Sequence, residues 1–154
     1  MQNSSVTCRA ARPEDRDDIV EFQIAMALET EDVALDRPTC TRGVEAAFRD
    51  VGKARYFVAE SEGRVVASLM ITYEWSDWRN GNVWWIQSVY VRPELRQKRI
   101  YAALYDYVKR LVEDDPSIRG IRLYVDRRNE RAQRVYTHLG MNGEHYQVFE
   151  WMKE

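Results

Sequence analysis

The run at residues 82–91, Asn-Val-Trp-Trp-Ile-Gln-Ser-Val-Tyr-Val, constrains this chain more than any other segment. Nearly every side chain in it is large or β-branched, without the polar alternation of a strand that has one wet face. Such a strand belongs in the middle of a sheet covered on both sides. A chain of 154 residues is long enough to bury it within one domain spanning 1–154, with helices packed on each face.

The neighbouring patterns supply those helices and the other strands. A short strand is expected at 6–10. Pro13-Glu14-Asp15 then opens a helix whose apolar stripe is Ile19, Phe22 and Met26. Residues 29–40 are polar and acidic and contain Pro38, so they read as a loop. A second helix follows at 41–51 on Val44, Ala47, Phe48 and Val51. Residues 56–59 and 65–73 form a hairpin about Glu62-Gly63, and 77–81 form a turn with Asn80-Gly81 as its strongest element. After Pro93 come a helix at 100–113, a strand at 120–125, a helix at 129–139 and a last strand at 145–152. The order β-α-α-β-β-β-α-β-α-β gives an α/β fold of the mixed-sheet (α+β) kind, with about six strands and helices on both faces.

Bulk properties narrow the function. The formal net charge is −2, which favours neither a nucleic-acid partner nor an acidic membrane surface. No apolar run is long enough to span a bilayer, and the first residues carry no signal-peptide pattern. Cys8 and Cys40 lack metal-ligand or redox spacing and are expected as reduced thiols in a cytoplasmic protein. His138 and His145 form no metal pattern, so no metal is expected.

Two segments carry chemistry. In residues 129–141, Asn129 is a good N-cap, Ala132, Val135, Tyr136 and Leu139 share one helix face, and Gly140 ends the helix in a left-handed conformation. Tyr136 brings a phenol to that buried stripe, where it serves either as a core side chain or as a proton donor. In residues 89–104, a strand ends in a turn dense in Arg96, Lys98 and Arg99 that enters a helix. Exposed N–H groups and the positive end of the helix dipole suit an anion such as a pyrophosphate; a solvated basic turn is the other reading.

Together the two segments resemble the GNAT superfamily of acetyl-CoA-dependent N-acetyltransferases. Its cofactor loop reads Arg/Gln-x-x-Gly-x-Gly/Ala after a Leu/Val-x-Val strand and a proline, and Val89, Val91, Pro93 and Arg96 match. Its later helix reads Asn-x-x-Ala-x-x-x-Tyr-x-x-x-Gly-Phe/Met, and Asn129, Ala132, Tyr136, Gly140 and Met141 match without a gap. Arg9-Ala10 followed by Pro13-Glu14-Asp15 is also typical of the family's start, so the resemblance covers almost the whole chain. One departure matters: the two loop glycines fall at Arg99 and Tyr101. Glycine there permits unusual backbone angles and close approach to phosphate. Arg99 either offers a guanidinium to the cofactor phosphates or loosens the loop.

The resemblance implies a GNAT-like fold that transfers an acetyl group from acetyl-CoA to a primary amine of a small molecule or a protein by direct attack. The cofactor would lie along Val89, Tyr90 and Val91, then Arg96, Gln97, Lys98, Arg99, Ile100, Tyr101 and Ala102, with Asn129 and Tyr136. The Val89 N–H would stabilise the oxyanion, and Tyr136 would act as general acid to the CoA thiolate. No carboxylate lies at 84–91, where many relatives carry a glutamate, so Glu74 is the expected general base, directly or through water, with Glu29 and Glu31 as the other choices. On the acceptor side, Glu29 and Glu31, with Asp32, Asp36 and Asp77, would form an acidic mouth, and Trp75 or Trp84 would stack on the amine's substituent. Because many relatives dimerise, a homodimer is compatible with the family. An inactive CoA-binding regulator is the alternative to an enzyme, kept open by Arg99 and the missing strand glutamate.

Overall fold

In the computed structural model, which describes residues 5–154, the 82–91 run is the fourth strand of a five-stranded sheet. The chain divides into two units, one ending at Arg122 and one from Leu123 to Glu154. The first unit holds the sheet: β1 (Thr7–Ala10), β2 (Arg55–Ser61), β3 (Arg64–Ser76), β4 (Gly81–Val91) and β5 (Ile118–Arg122). They lie in sequence order, antiparallel from β1 to β4, with β5 parallel to β4. The β2–β3 hairpin turns on Glu62-Gly63, at φ 52° and 73°. Positive φ at both central residues is what a two-residue turn matched to strand twist requires.

Helices α1 (Arg16–Glu31) and α2 (Arg37–Arg49) cover one face of this sheet. Ile19, Val20 and Phe22 of α1 and Val44 and Ala47 of α2 pack against Tyr56, Val58, Val65 and Tyr90. On the other face α3 (Ile100–Asp114) buries Ile100, Leu104, Tyr105 and Val108, and its Tyr107 meets the ring of Phe57 at 5.9 Å. Strand alternation explains the division: neighbouring residues such as Phe57 and Val58 are both fully buried, each under a different layer. The ion pairs of Arg9 with Asp15 and Glu60 tie β1, the first turn and β2 together.

The expected loop at 29–40 is shorter than the sequence pattern suggests. Helix α1 continues to Glu31, and α2 starts at Arg37, where Pro38 occupies the first turn and Asp36 caps by accepting from the Thr39 N–H at 3.0 Å.

In the second unit, α4 (Glu130–His138) begins as expected, with Asn129 Oδ1 accepting from the Ala132 N–H at 3.0 Å. It ends at Gly140, at φ 89°, with Met141 N–H bonded to Tyr136 O and Gly140 N–H to Thr137 O. That pair of bonds is the glycine-terminated helix end the sequence foretold. The expected strand at 145–152 does not form, which makes the sheet one strand smaller than anticipated. Its alternating pattern is suited to a strand, but a strand exists only where a ladder partner takes up its backbone groups.

Candidate active site

Besides a register shift against β5 at Asn82/Val83, strand β4 departs from regular pairing in two places within 85–91. Its ladder to β5 runs from Asn82 to Trp85 and stops there, because β5 ends at Arg122. Among the described residues no strand pairs with that edge of β4 beyond Trp85. On the β3 side the register jumps between Ser68↔Tyr90 and Met70↔Gln87, so Ser88 and Val89 together oppose Leu69. This is a bulge, and Ser88 takes φ 53° to make it. A bulge turns backbone N–H groups out of the ladder, which is the kind of donor a developing oxyanion needs.

The basic turn follows. Pro93–Leu95 form one turn of 3-10 helix, then Gln97 and Arg99 both adopt positive φ, 66° and 61°. Arg99, at ψ 22°, is the N-cap of α3 in the left-handed region. The backbone therefore keeps the conformation that a glycine would favour at this loop position, despite the arginine. No side chain caps α3, so the first N–H groups of that helix, on Ile100, Tyr101 and Ala102, face outward with the positive end of its dipole. Lys98 and Arg99 are exposed beside them.

Arg96 is placed differently from the rest of the loop. Its Nε donates to Val91 O at 3.0 Å, a terminal nitrogen donates to Glu29 at 2.8 Å, and its guanidinium lies 5.3 Å from the centre of the Tyr90 ring. Tyr90 stacks on Phe22 of α1, and its hydroxyl is 3.5 Å from the other Glu29 oxygen. Arg96 thus braces the end of α1 against the end of β4. Burial, then the Glu29 charge, push the Tyr90 phenol up.

The same sheet face carries further polar groups of β3 and β4. Met70, Thr72 and Glu74 alternate along β3 opposite Gln87, Trp85 and Val83, so all share the face covered by α1 and α2. The Trp85 indole N–H donates to Glu74 at 3.0 Å, and Arg122 forms an ion pair with the other Glu74 oxygen. Gln87 donates its amide N–H to Thr72 Oγ1. Because the bulge inserts one residue, Gln87 and Tyr90 face the same way though three positions apart.

Several expectations change on this geometry. Trp84 lies on the face opposite Glu74, buried against Phe57 and Tyr73, and Trp85 is the tryptophan that shares a face with Glu74. Trp75 alternates with Glu74 and is exposed at the hairpin end on the other face. Two carboxylates of the expected acidic mouth are ion-paired, Glu29 with Arg96 and Glu74 with Arg122, while Asp36 caps α2. Glu31 is exposed at the last residue of α1. The bulge at Ser88–Val89 and the roles of Trp85 and Gln87 carried no residue signal, because neither serine nor valine marks a left-handed position.

In the second unit, Tyr136 lies partly buried on α4, and burial pushes its phenol up, so the group stays protonated at neutral pH. Among the described residues no cluster of three or more His, Cys, Asp or Glu could hold a metal ion. No described helix is long and apolar enough to cross a membrane.

Comparison with known proteins places this arrangement. The Acetyltransferase (GNAT) family model matches residues 21–141. A crystal structure described as a possible acetyltransferase from Clostridium difficile 630 is 43% identical, with a TM-score of 0.89 over 97% of this chain and 98% of that one. A ribosomal-protein-alanine N-acetyltransferase from Brucella melitensis biovar Abortus 2308 shares the fold at 16% identity, with a TM-score of 0.75 over 96% of this chain and all (100%) of that one. A predicted acetyltransferase with acetyl-CoA from Clostridium acetobutylicum shares it at 17% identity, with a TM-score of 0.73 over 95% and 96% of the two chains. Among curated proteins there is no significant match. With a glycine-like loop leading into an uncapped helix, a bulged central strand whose ladder to β5 stops at Trp85, and the family pattern across most of its length, the chain belongs to the GNAT family of acetyltransferases and is an acyltransferase.

Proposed function

We propose that this protein is a single cytoplasmic domain that transfers the acetyl group of acetyl-CoA to a primary amine, on a small molecule or a protein, by direct attack. The observation that carries the reading is the free edge of β4 beyond Trp85, next to the bulge at Ser88–Val89. An extended pantetheine arm can add to that edge as a strand would, through main-chain hydrogen bonds to residues 87–91. The pyrophosphate then meets the outward N–H groups of Ile100, Tyr101 and Ala102, with Gln97, Lys98 and Arg99 around it. Arg96 serves the site by holding α1 and β4 in place, and Asn129 caps α4 while contacting the cofactor.

In the reaction the amine nitrogen bonds to the thioester carbon, the carbon–sulfur bond breaks, one proton leaves the nitrogen, and one reaches the departing sulfur. The Val89 N–H, at the bulge, hydrogen-bonds the tetrahedral oxyanion. Tyr136 supplies the proton to the thiolate; the matched helix pattern and the raised phenol support that role. Glu74 takes the amine's proton through a water. Among the described residues Trp85 donates to one of its oxygens and Arg122 to the other, and a carboxylate oxygen has a second lone pair for that water.

Calorimetry with acetyl-CoA and CoA, followed by thiol-release assays on a panel of amines, tests the reading. Binding with turnover on at least one amine is expected. Binding without turnover on any amine supports the regulator, and no binding contradicts both.

A further inference from the structure

We infer that Gln87 is the side chain that receives the attacking nitrogen, so the acceptor is oriented by a neutral amide where a carboxylate would otherwise draw in a charged ammonium. This rests on the acetyl-transfer reading above. Gln87 is the last residue of β4 before the bulge at Ser88–Val89, on the face shared with Tyr90, Trp85 and Glu74. A nucleophile adding to a carbonyl held at the bulge approaches from one side of the strand, and Gln87 is the half-buried polar group on that side nearest in the chain. Its amide nitrogen is committed to Thr72 Oγ1, which fixes the rotamer. The amide oxygen is left to accept, and among the described residues none donates to it. The carboxylates on this face are already paired, Glu74 with Arg122 and Glu29 with Arg96. The nitrogen is therefore met directly by a neutral acceptor, with Glu74 reaching it only through a water.

Two consequences follow. The site favours an amine that arrives neutral, such as an α-amino group or an arylamine, over a strongly basic alkylammonium. The acid limb of the pH profile of kcat/KM should also carry the titration of the acceptor's own amine, since the Gln87 amide beside it adds none.

The test uses purified full-length protein with acetyl-CoA and a panel of spermidine, tyramine, phenylalanine amide and aniline, read by thiol release against pH. Gln87→Glu preserves shape, and Thr72 can donate to the new carboxylate. For the fastest acceptor, Gln87→Glu should move the acid limb of kcat/KM to lower pH and raise the spermidine to phenylalanine amide preference about tenfold. Gln87→Ala should lower kcat/KM by at least tenfold while acetyl-CoA affinity by calorimetry stays within twofold. Thr72→Val should lie between Gln87→Ala and wild type. Superimposable pH profiles and unchanged preferences in an active Gln87→Glu protein overturn the inference and leave acetyl transfer standing. Absence of turnover by the wild-type protein on every amine overturns both.

Discussion

Arg99 offers a test in which backbone and charge can be separated. It holds φ 61°, ψ 22° at the N-cap of α3, a conformation that costs an L-residue about 1–2 kcal/mol. Arg99→Gly removes that strain but adds the unfolded-state freedom of glycine, about 0.5–1 kcal/mol. The net expectation is a gain of roughly 0.5–1 kcal/mol, or about 1–4 °C in Tm for a chain of this size. Arg99→Ala keeps the strain and loses only the charge, so it should be no more stable than wild type. Both variants lose a guanidinium beside the outward N–H groups of α3, and both should bind acetyl-CoA roughly five- to tenfold more weakly. That deficit should shrink as salt rises, because the residue is exposed. Calorimetric melting and titration of the three proteins at two salt concentrations decide it. An Arg99→Gly protein no more stable than Arg99→Ala refutes the left-handed assignment, and wild-type affinity in both variants refutes the phosphate contact.

Two further outcomes follow from the same structure. Tyr136→Phe should lower kcat by about 100-fold with little change in acetyl-CoA affinity, measured by thiol release and calorimetry; an equal loss in both would make the phenol a binding group instead of an acid. Burial raises the Asp15 carboxyl, but the hydrogen bonds from Arg9 and from the Arg12 N–H, with the Arg9 charge, outweigh it and hold the group below its usual value. Its stabilisation is therefore full above the unfolded pKa of about 3.9 and fades as pH falls through the lower folded value. Asp15→Asn should cost about 2 kcal/mol at neutral pH, the loss of charge-assisted hydrogen bonds with Glu60 still pairing Arg9, and the gap from wild type in urea melts should narrow as pH falls below about 4.

What the sequence disclosed about this protein follows a physical division. Local signals were reliable where one residue type suits one backbone shape: Glu62-Gly63 in the tight hairpin, Asn129 at the cap, Gly140 at the helix end. The same kind of signal was present at Asp36-Arg37-Pro38, where proline in the first turn marks a helix start that composition alone disguised as loop. Alternation showed that Trp84 and Trp85 point opposite ways, but which of them lies under α3 depends on how the helices pack, a tertiary fact. The bulge at Ser88–Val89 was hidden for a different reason. It is imposed by the pairing of β4 with β3, and its residues are not ones that seek positive φ. Strand propensity at 145–152 likewise described a suitable segment without a ladder to join. The neutralising partners of Glu29 and Glu74 are 67 and 48 residues away in sequence, beyond any local reading.

The most direct measurement is a mass-resolved turnover assay with acetyl-CoA and the amine panel. Acetyl transfer predicts one equivalent of free CoA thiol for each acceptor that gains a single acetyl group. CoA release without an acetylated acceptor, or tight acetyl-CoA binding with neither product, would contradict it.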